Sequence, residues 1–502
     1  MLSFFNKNSS IQNLDILRVT FPKNNTSVVS YSLDRVICGF SNLDPFTLSD
    51  CTQGVQIFGA IGSGKTSGSG RFLAESYLRA GFGGLVLTVK NDERELWAKY
   101  CQDCNRDLMI FSPDNPWRFN FLDYELNRGG KGAGETENIV DLFLTVLELD
   151  PATRQGGGDN FWQNTLKQLL RNAVDLVKIS KGSLSLVDLY KVINSAPQKP
   201  SDTKVIKTED GQEKNTDWME NSFCAKLLFE AWNKEDLTES QSLDLEIVSD
   251  YWMKEFPNLA DKTRSIIVSS FTSLADMFLR GTLRELFCTK TNIFPEFTHE
   301  GSLILIDLPV HEYGKIGQYA QAIFKFIWQK STERREKTED LRPVFLWADE
   351  AQFFINSHDV KFQTTARSSR ACTVYLTQNL PNYINSLGEN LAYSLLGNLQ
   401  LKVFHQNSDP KTNEYASHVV GKIWQDSIST NVNRQDLERE GRAGTGSSYS
   451  QIVEYDLLPV EFTKLKKGGY ESNLLVEGIV YQGGRIWQAN KKSFLKVSFS
   501  QD

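Results

Sequence analysis

Residues 55–81 read VQIFGAIGSGKTSGSGRFLAESYLRAG, and this stretch decides the fold. VQIFGA (55–60) is an apolar run of buried-strand length, and SGSGRFLAESYLRAG (67–81) reads as a helix that stops at Gly81. Between them Gly59, Ala60, Ile61, Gly62, Ser63, Gly64, Lys65 and Thr66 fit the pattern G-x-x-x-x-G-K-[ST]. Strand, glycine-rich loop and helix are the context that pattern requires. Gly62 and Gly64 free the backbone of Cβ clashes, so successive N–H groups can turn inward and cradle phosphates at a helix N-terminus. Lys65 is then placed to bridge the β- and γ-phosphates, and the Thr66 hydroxyl to ligate Mg²⁺. The expected ligand is ATP with Mg²⁺.

Outward from this loop, strands and helices alternate. GGLVLTVK (83–90) and DLMIFS (107–112) read as strands around a helix DERELWAKYCQDC. The pattern resumes with SLILIDLP (302–309), a helix IGQYAQAIFKFIWQKSTERRE, strand VFLWAD, a helix through Ala366–Arg370, and strand CTVYLTQ. LQLKVFH and SNLLVEGIVY add two more strand-like pieces. Such alternation predicts an α/β fold with a mainly parallel sheet and right-handed crossovers. From about 130 to 275 apolar residues recur instead at helical spacing, as in FWQNTLKQLLRNAVDLVKI, so an all-α domain is expected as an insertion. The expected division is a β-rich lead-in at 1–50, a discontinuous nucleotide-binding domain at 51–128 and 276–502, and an all-α domain at 129–275. Within the lead-in, LDILRVTF and TSVVSYSL flank the turn signal PKNN and predict an antiparallel pair. Residues 426–450 are polar and rich in Gly and Ser, which predicts a long mobile loop.

Two acids complete the chemistry. In VFLWADEAQ (344–352) four apolar residues deliver Asp349 to the C-terminal end of a strand, where parallel sheets place their ligands. Asp349 is expected to hold Mg²⁺ through water, and Glu350 to polarise the attacking water. The next strand ends in Thr377, Gln378 and Asn379; Gln378 is the candidate sensor of the γ-phosphate or the water. Arg367 and Arg370 lie between the two strands. Either is a candidate to reach a neighbouring subunit's γ-phosphate and neutralise charge in the transition state.

Composition narrows the setting. At 502 residues, with 40% hydrophobic and 23% charged residues, the chain reads as a soluble globular protein of two or three domains. A formal charge of −7 excludes a globally basic surface, so nucleic-acid contact must come from a local lining. Seven cysteines suit a reducing compartment. Cys101 and Cys104 lack a second pair or a nearby His, and read as two residues one helical turn apart rather than half a zinc site. The five histidines show no metal-ligand spacing. The sequence shows no transmembrane stretch, which predicts a cytoplasmic protein, peripheral to a membrane at most through a partner.

These pieces, taken in order, resemble the type IV secretion coupling proteins, the TraD/TraG class of conjugative DNA-transfer ATPases. The resemblance rests on the glycine-rich loop, FWQNTLKQLLRNAVDL, the DEAQ acids, the segment from Arg367 to Gln378, and EYDLLPVEFTKLKKGGYES. Lesser pieces agree: NFLD at 120–123, DKTRSIIVSSFTSLADMF before LILIDLP, and DPKTNEYASHVVGK. It runs from about residue 40 to near 495. It implies a RecA-like P-loop NTPase domain, homo-hexamers around a DNA pore, nucleotides held between subunits, and a helical domain facing relaxosome and DNA. By position Lys65, Thr66, Asp349, Glu350 and Gln378 carry over to the family's nucleotide site. Coupling proteins usually begin with membrane anchors and this sequence shows none, so a soluble branch or another use of the motor is expected, in packaging or mobile-element defence. The function implied is ATP-driven DNA translocation in conjugative transfer or mobilisation. The alternative is an ATP-gated docking module that recruits a nucleoprotein, such as a relaxase complex, or a protein substrate.

Overall fold

The computed structural model describes residues 17–18, 30–148, 160–207, 213–433 and 444–501. In chain order the strands are β1 (Leu17–Arg18), β2 (Val36–Ser41), β3 (Asp44–Thr47), β4 (Val55–Phe58), β5 (Gly83–Leu87), β6 (Leu108–Phe111), β7 (Ile206–Lys207) and β8 (Glu213–Lys214). They continue with β9 (Leu303–Ile306), β10 (Val344–Ala348), β11 (Ala371–Thr377), β12 (Leu401–Phe404), β13 (Lys422–Asn433), β14 (Gly444–Tyr455), β15 (Leu475–Gln482) and β16 (Phe494–Ser500). The chain forms two compact units. One takes in the described residues up to Ala80 and from Cys372 onward, and the other runs from Gly81 to Ala371.

The first unit carries strands in the order β1-β16-β15-β12-β4-β11. β4 is flanked by parallel partners, β11 from Val55↔Val374 to Phe58↔Thr377 and β12 from Val55↔Leu401 to Phe58↔Phe404. β15 then pairs antiparallel with both β12 and β16, while β1 joins β16 in parallel. β4, β11 and β12 are buried along their whole length, which is why they read as continuous apolar runs rather than alternating ones. Phe58 stacks on Phe404 with centroids 5.5 Å apart, and Tyr383 sends its hydroxyl to Gln56 Oε1 at 2.7 Å, satisfying a polar side chain inside the core.

The second unit carries β10-β5-β9-β6, all parallel. Gly84 sits where an added Cβ would fall 2.3 Å from the Phe345 ring, so β5 and β10 approach closely. The Val310–Glu333 helix is buried at every position from Tyr319 to Trp328, so it is enclosed on all sides there. Helices dominate from Thr136 to Phe287, broken by the two-residue pair β7–β8. Local signals start them: Ser185 and Ser222 cap N-termini through their hydroxyls, and Thr238 forms a capping box with Gln241. Edge-on aromatic pairs such as Phe143–Phe271 and Phe278–Phe287 fill their interior. No single described helix is long and apolar enough to cross a membrane.

Four expectations change. Residues 426–433 and 444–450 do not form a loop: β13 and β14 pair antiparallel over twelve registers, from Lys422↔Tyr455 to Asn433↔Gly444. A ladder in which each strand satisfies the other's backbone overrides the Gly/Ser composition that suggested mobility; residues 434–443 lie outside the described part. The antiparallel pair near the N-terminus is β2–β3, not the expected one. LDILRVTF contributes only Leu17–Arg18, in parallel with β16; residues 30–33 of TSVVSYSL are not strand, and its first four lie outside the described part. The helix expected through Ala366–Arg370 ends at Thr365, and the chain turns there to bring Arg370 to φ 48°. β16, whose FLKVSFS alternates polar and apolar, was not anticipated.

Candidate functional site

In the first unit the glycine-rich loop leaves the C-terminal end of β4. Gly59 N–H donates to Thr377 O at 3.2 Å and Ala60 N–H to Gln406 O at 3.0 Å, which pins the loop to the ends of β11 and β12. Gly62 (φ 70°) and Gly64 (φ 82°) take the left-handed conformation that only glycine adopts without strain. A Cβ on Gly64 would also stand 2.4 Å from Val476 Cγ2 on β15. Gly68 N–H reaches Gly64 O at 2.7 Å and Gly70 N–H reaches Lys65 O at 2.8 Å, so the helix begins with a wide turn over Thr66–Gly70. Lys65 is buried. Ser63 Oγ is buried and has no hydrogen-bond partner among the described residues.

A histidine that sequence reasoning passed over braces this helix. His405 closes β12, fully buried, with Nδ1 2.9 Å from Glu477 O and Nε2 2.6 Å from Ser69 Oγ. The carbonyl can only accept, so Nδ1 carries the proton, Nε2 accepts, and the Ser69 hydroxyl donates. Burial, aided by the Lys65 charge, pushes the imidazole pKa down to about 4, so the ring is neutral at pH 7. Gln378 follows β11, half-buried, and its carbonyl accepts Asn407 Nδ2 at 2.7 Å.

In the second unit β10 delivers Asp349 and Glu350, both buried. Glu350 is left-handed at φ 54°, and its N–H donates to Asp349 Oδ1 at 3.0 Å. Gln352 Nε2 holds Glu350 Oε2 at 2.9 Å. Two further charges belong to this cluster and had no recognised sequence signal: Lys90 in the loop after β5, and Glu93 at the start of the Glu93–Asp103 helix. Lys90 Nζ lies 3.5 Å from Asp349 Oδ2 and 3.8 Å from Glu350 Oε1. Glu93 accepts the N–H groups of Val89 and Lys90 through Oε2 at 2.6 and 3.3 Å, while its Oε1 is buried without a partner among the described residues. Burial first, then the Asp349 charge, raise the Glu93 pKa to about 8. Burial works against the Lys90 ammonium, but Asp349, Glu350 and Glu93 together raise its pKa.

The Val310–Glu333 helix fastens the backbone on both sides of these acids. Gln321 bonds Thr88 N–H, Thr88 O and Leu308 O at 2.7, 2.8 and 2.9 Å. Gln318 holds Phe353 O at 2.5 Å, and Lys325 holds Phe354 O at 2.6 Å. Lys325 also pairs with Asp359 at 2.5 Å, a wholly buried ion pair completed by Gln329 and Asn356 N–H. Of the two candidate arginines, Arg370 is buried and spends its guanidinium on Leu341 O and Glu339 O, whereas Arg367 is exposed. Cys101 lies within the Glu93–Asp103 helix and Cys104 caps its end. Among the described residues no group of three His, Cys, Asp or Glu is arranged to hold a metal by itself.

The family described as the TraM recognition site of TraD and TraG matches residues 343–466. That segment is similar to the TraD/TraG type. The fold as a whole is that of the conjugative coupling proteins. The bacterial conjugative coupling protein TrwBΔN70, in its unbound monoclinic form, superposes with a TM-score of 0.60 at 16% identity, covering 97% of this chain and 94% of that one. Plasmid coupling protein TrwB in complex with the ATP analogue ADPNP gives 0.58 at 16% identity, again covering 97% and 94%. TrwB in complex with ADP and Mg²⁺ gives 0.56 at 15% identity with the same coverage. At that identity the likeness carries the TraD/TraG fold over, and not the individual residues. Among curated proteins none matches the chain by sequence.

Proposed function

We propose that this chain is a coupling ATPase: it binds ATP·Mg²⁺ and hydrolyses it to drive DNA through a conjugative transfer system. The observation that carries the reading is the glycine-rich loop at the end of β4, built on a fold whose solved relatives hold nucleotide. Its residues fit a phosphate. Gly62 and Gly64 hold a left-handed backbone that strains any other residue, a Cβ on Gly64 would also strike Val476, and the buried Ser63 hydroxyl lacks a partner among the described residues. Gly59–Thr66 would cradle the phosphates, Lys65 would neutralise the β- and γ-oxygens, and Thr66 and Asp349 would hold Mg²⁺. Bound Mg²⁺ supplies positive charge to the phosphate oxygens. Glu350, held by Gln352, would orient and polarise the attacking water, and Gln378 would sense the γ-phosphate. Arg367, exposed where Arg370 is bonded within its own unit, is the stronger candidate to act on a neighbouring subunit.

By the same reading the working form is a homo-hexamer on DNA, peripheral at the inner membrane through partners, with 129–275 as its helical domain and 51–128 plus 276–502 as its motor domain. The match to a TraM recognition site favours a nucleoprotein partner such as a relaxosome, and supports a second reading in which ATP gates docking rather than translocation. ATPase assays with and without DNA separate the two. A motor is accelerated several-fold by DNA; a docking switch responds to its protein partner alone.

A further inference from the structure

We infer that the helical segment from Asn215 to Met253 carries a docking groove for a short basic peptide segment of a partner protein, anchored by a large apolar side chain. The groove is an open cavity of about 500 Å³ whose lining includes Trp218, Met219, Leu228, Phe229, Trp232 and Met253. Two of its aromatic rings stand in solvent: Phe229 is 72% and Trp232 55% exposed. Both tryptophans are held in place. Trp218 Nε1 donates to Ser195 O at 2.7 Å, and Trp232 Nε1 to Ser249 Oγ at 2.9 Å. Rigid indole faces beside two adaptable methionines make a surface that accepts an apolar anchor with little ordering cost. Aromatic side chains exposed at one concave site are uncommon on a surface with no partner.

Charge selects the occupant. From Asn215 to Met253 nine acidic side chains stand against two lysines, a net of seven negative charges, equal to the net charge of the whole chain. The remainder of the chain has as many basic as acidic side chains. Eight of the nine acids are exposed, Glu220 among them at the groove itself. Lys226 lines the groove as well, and Glu230 lies 3.8 Å from it, so the negative field comes from the exposed acids of the surrounding segment. Such a field repels nucleic acid and steers a cationic segment toward the aromatic anchor site. The inference stands apart from the nucleotide chemistry: it uses no residue of that site, and its test reads binding without ATP.

The test uses the full chain and a labelled synthetic amphipathic peptide bearing Trp and Leu one helical turn apart, flanked by arginines. Fluorescence anisotropy should show saturable binding that weakens with salt. Phe229→Ala and Trp232→Ala, both at exposed positions and so compatible with the fold, should each weaken it about tenfold. Glu220→Lys should weaken it and flatten the salt dependence. The inference is overturned if the double alanine variant, its melting curve unchanged, binds the peptide as the parent does. It is equally overturned if a peptide with Ser at both anchors, or with glutamates for arginines, binds as well. Competition by a single-stranded oligonucleotide, or self-association of the parent that the double variant abolishes, would assign the groove to DNA or to a second copy instead.

Discussion

At the scale of single residues, the glycine-rich loop and the two acids allow clean separations. Lys65→Ala should lose nucleotide affinity, measured by binding of a fluorescent ATP analogue. Glu350→Gln should keep ATP bound while turnover falls by about a hundredfold or more, the size expected when a group acting on the attacking water is removed; turnover at the parental rate would take Glu350 out of the mechanism. Its backbone offers an independent check. At φ 54° every side chain but glycine is strained, by ~1 kcal/mol. Glu350→Gly should therefore melt above Glu350→Ala, although both lack the carboxylate. The positions named from sequence, Lys65, Thr66, Asp349 and Glu350, were legible because a fixed spacing or an apolar strand leads to each. Lys90, Glu93 and His405 were not, since lone charged or imidazole side chains in a loop, at a helix start or after a strand carry no periodic signature. Only the packing of β5 beside β10, and of β12 under the loop helix, gives them partners.

At the scale of elements, the Val310–Glu333 helix works as a ruler for the acid cluster, bonding the chain at Thr88 and again at Phe353 and Phe354. Lys325→Met leaves Asp359 buried and unpaired, and should cost about 3–5 kcal/mol in denaturant unfolding. Adding Asp359→Leu should recover most of that loss, because replacing both charges removes the desolvation cost along with the attraction. If the single and double variants unfold alike, the pair is not what holds the turn. Sequence periodicity gave this helix and the strands β4 to β6, β9 to β12 and β15, since burial writes a continuous apolar run, but it missed the buried β2 and β16. It failed for β13 and β14. Their Ser, Thr, Asn and Gly residues carry no apolar alternation, and composition alone cannot tell such a ladder from a loop.

At the scale of the molecule, titration sets the acid limit of stability. Burial pushes the pKa of His299 down to about 3, and those of His358 and His405 to about 4, from 6.5. Above pH 6.5 these rings are neutral whether the chain is folded or not. Below it the unfolded chain takes up protons that the fold refuses, so stability is lost as pH falls from 6.5 toward 4. Glu93 opposes this: with its pKa raised to about 8 from 4.5, it favours the fold as pH falls through that interval. Three groups outweigh one, and stability near pH 5 to 6 should drop by about 2–3 kcal/mol per pH unit, seen as a lower melting temperature at pH 5 than at pH 7. A melting temperature that rises on acidification would contradict the buried, neutral histidines. The concentration of net charge between Asn215 and Met253 has a colloidal consequence. Like charge keeps copies of a protein apart in solution, and here that mutual repulsion is stored in one short helical run. A cationic body that matches the charge of that run brings the whole chain to electrical balance, so capturing cargo there would also lower the barrier to crowding copies together.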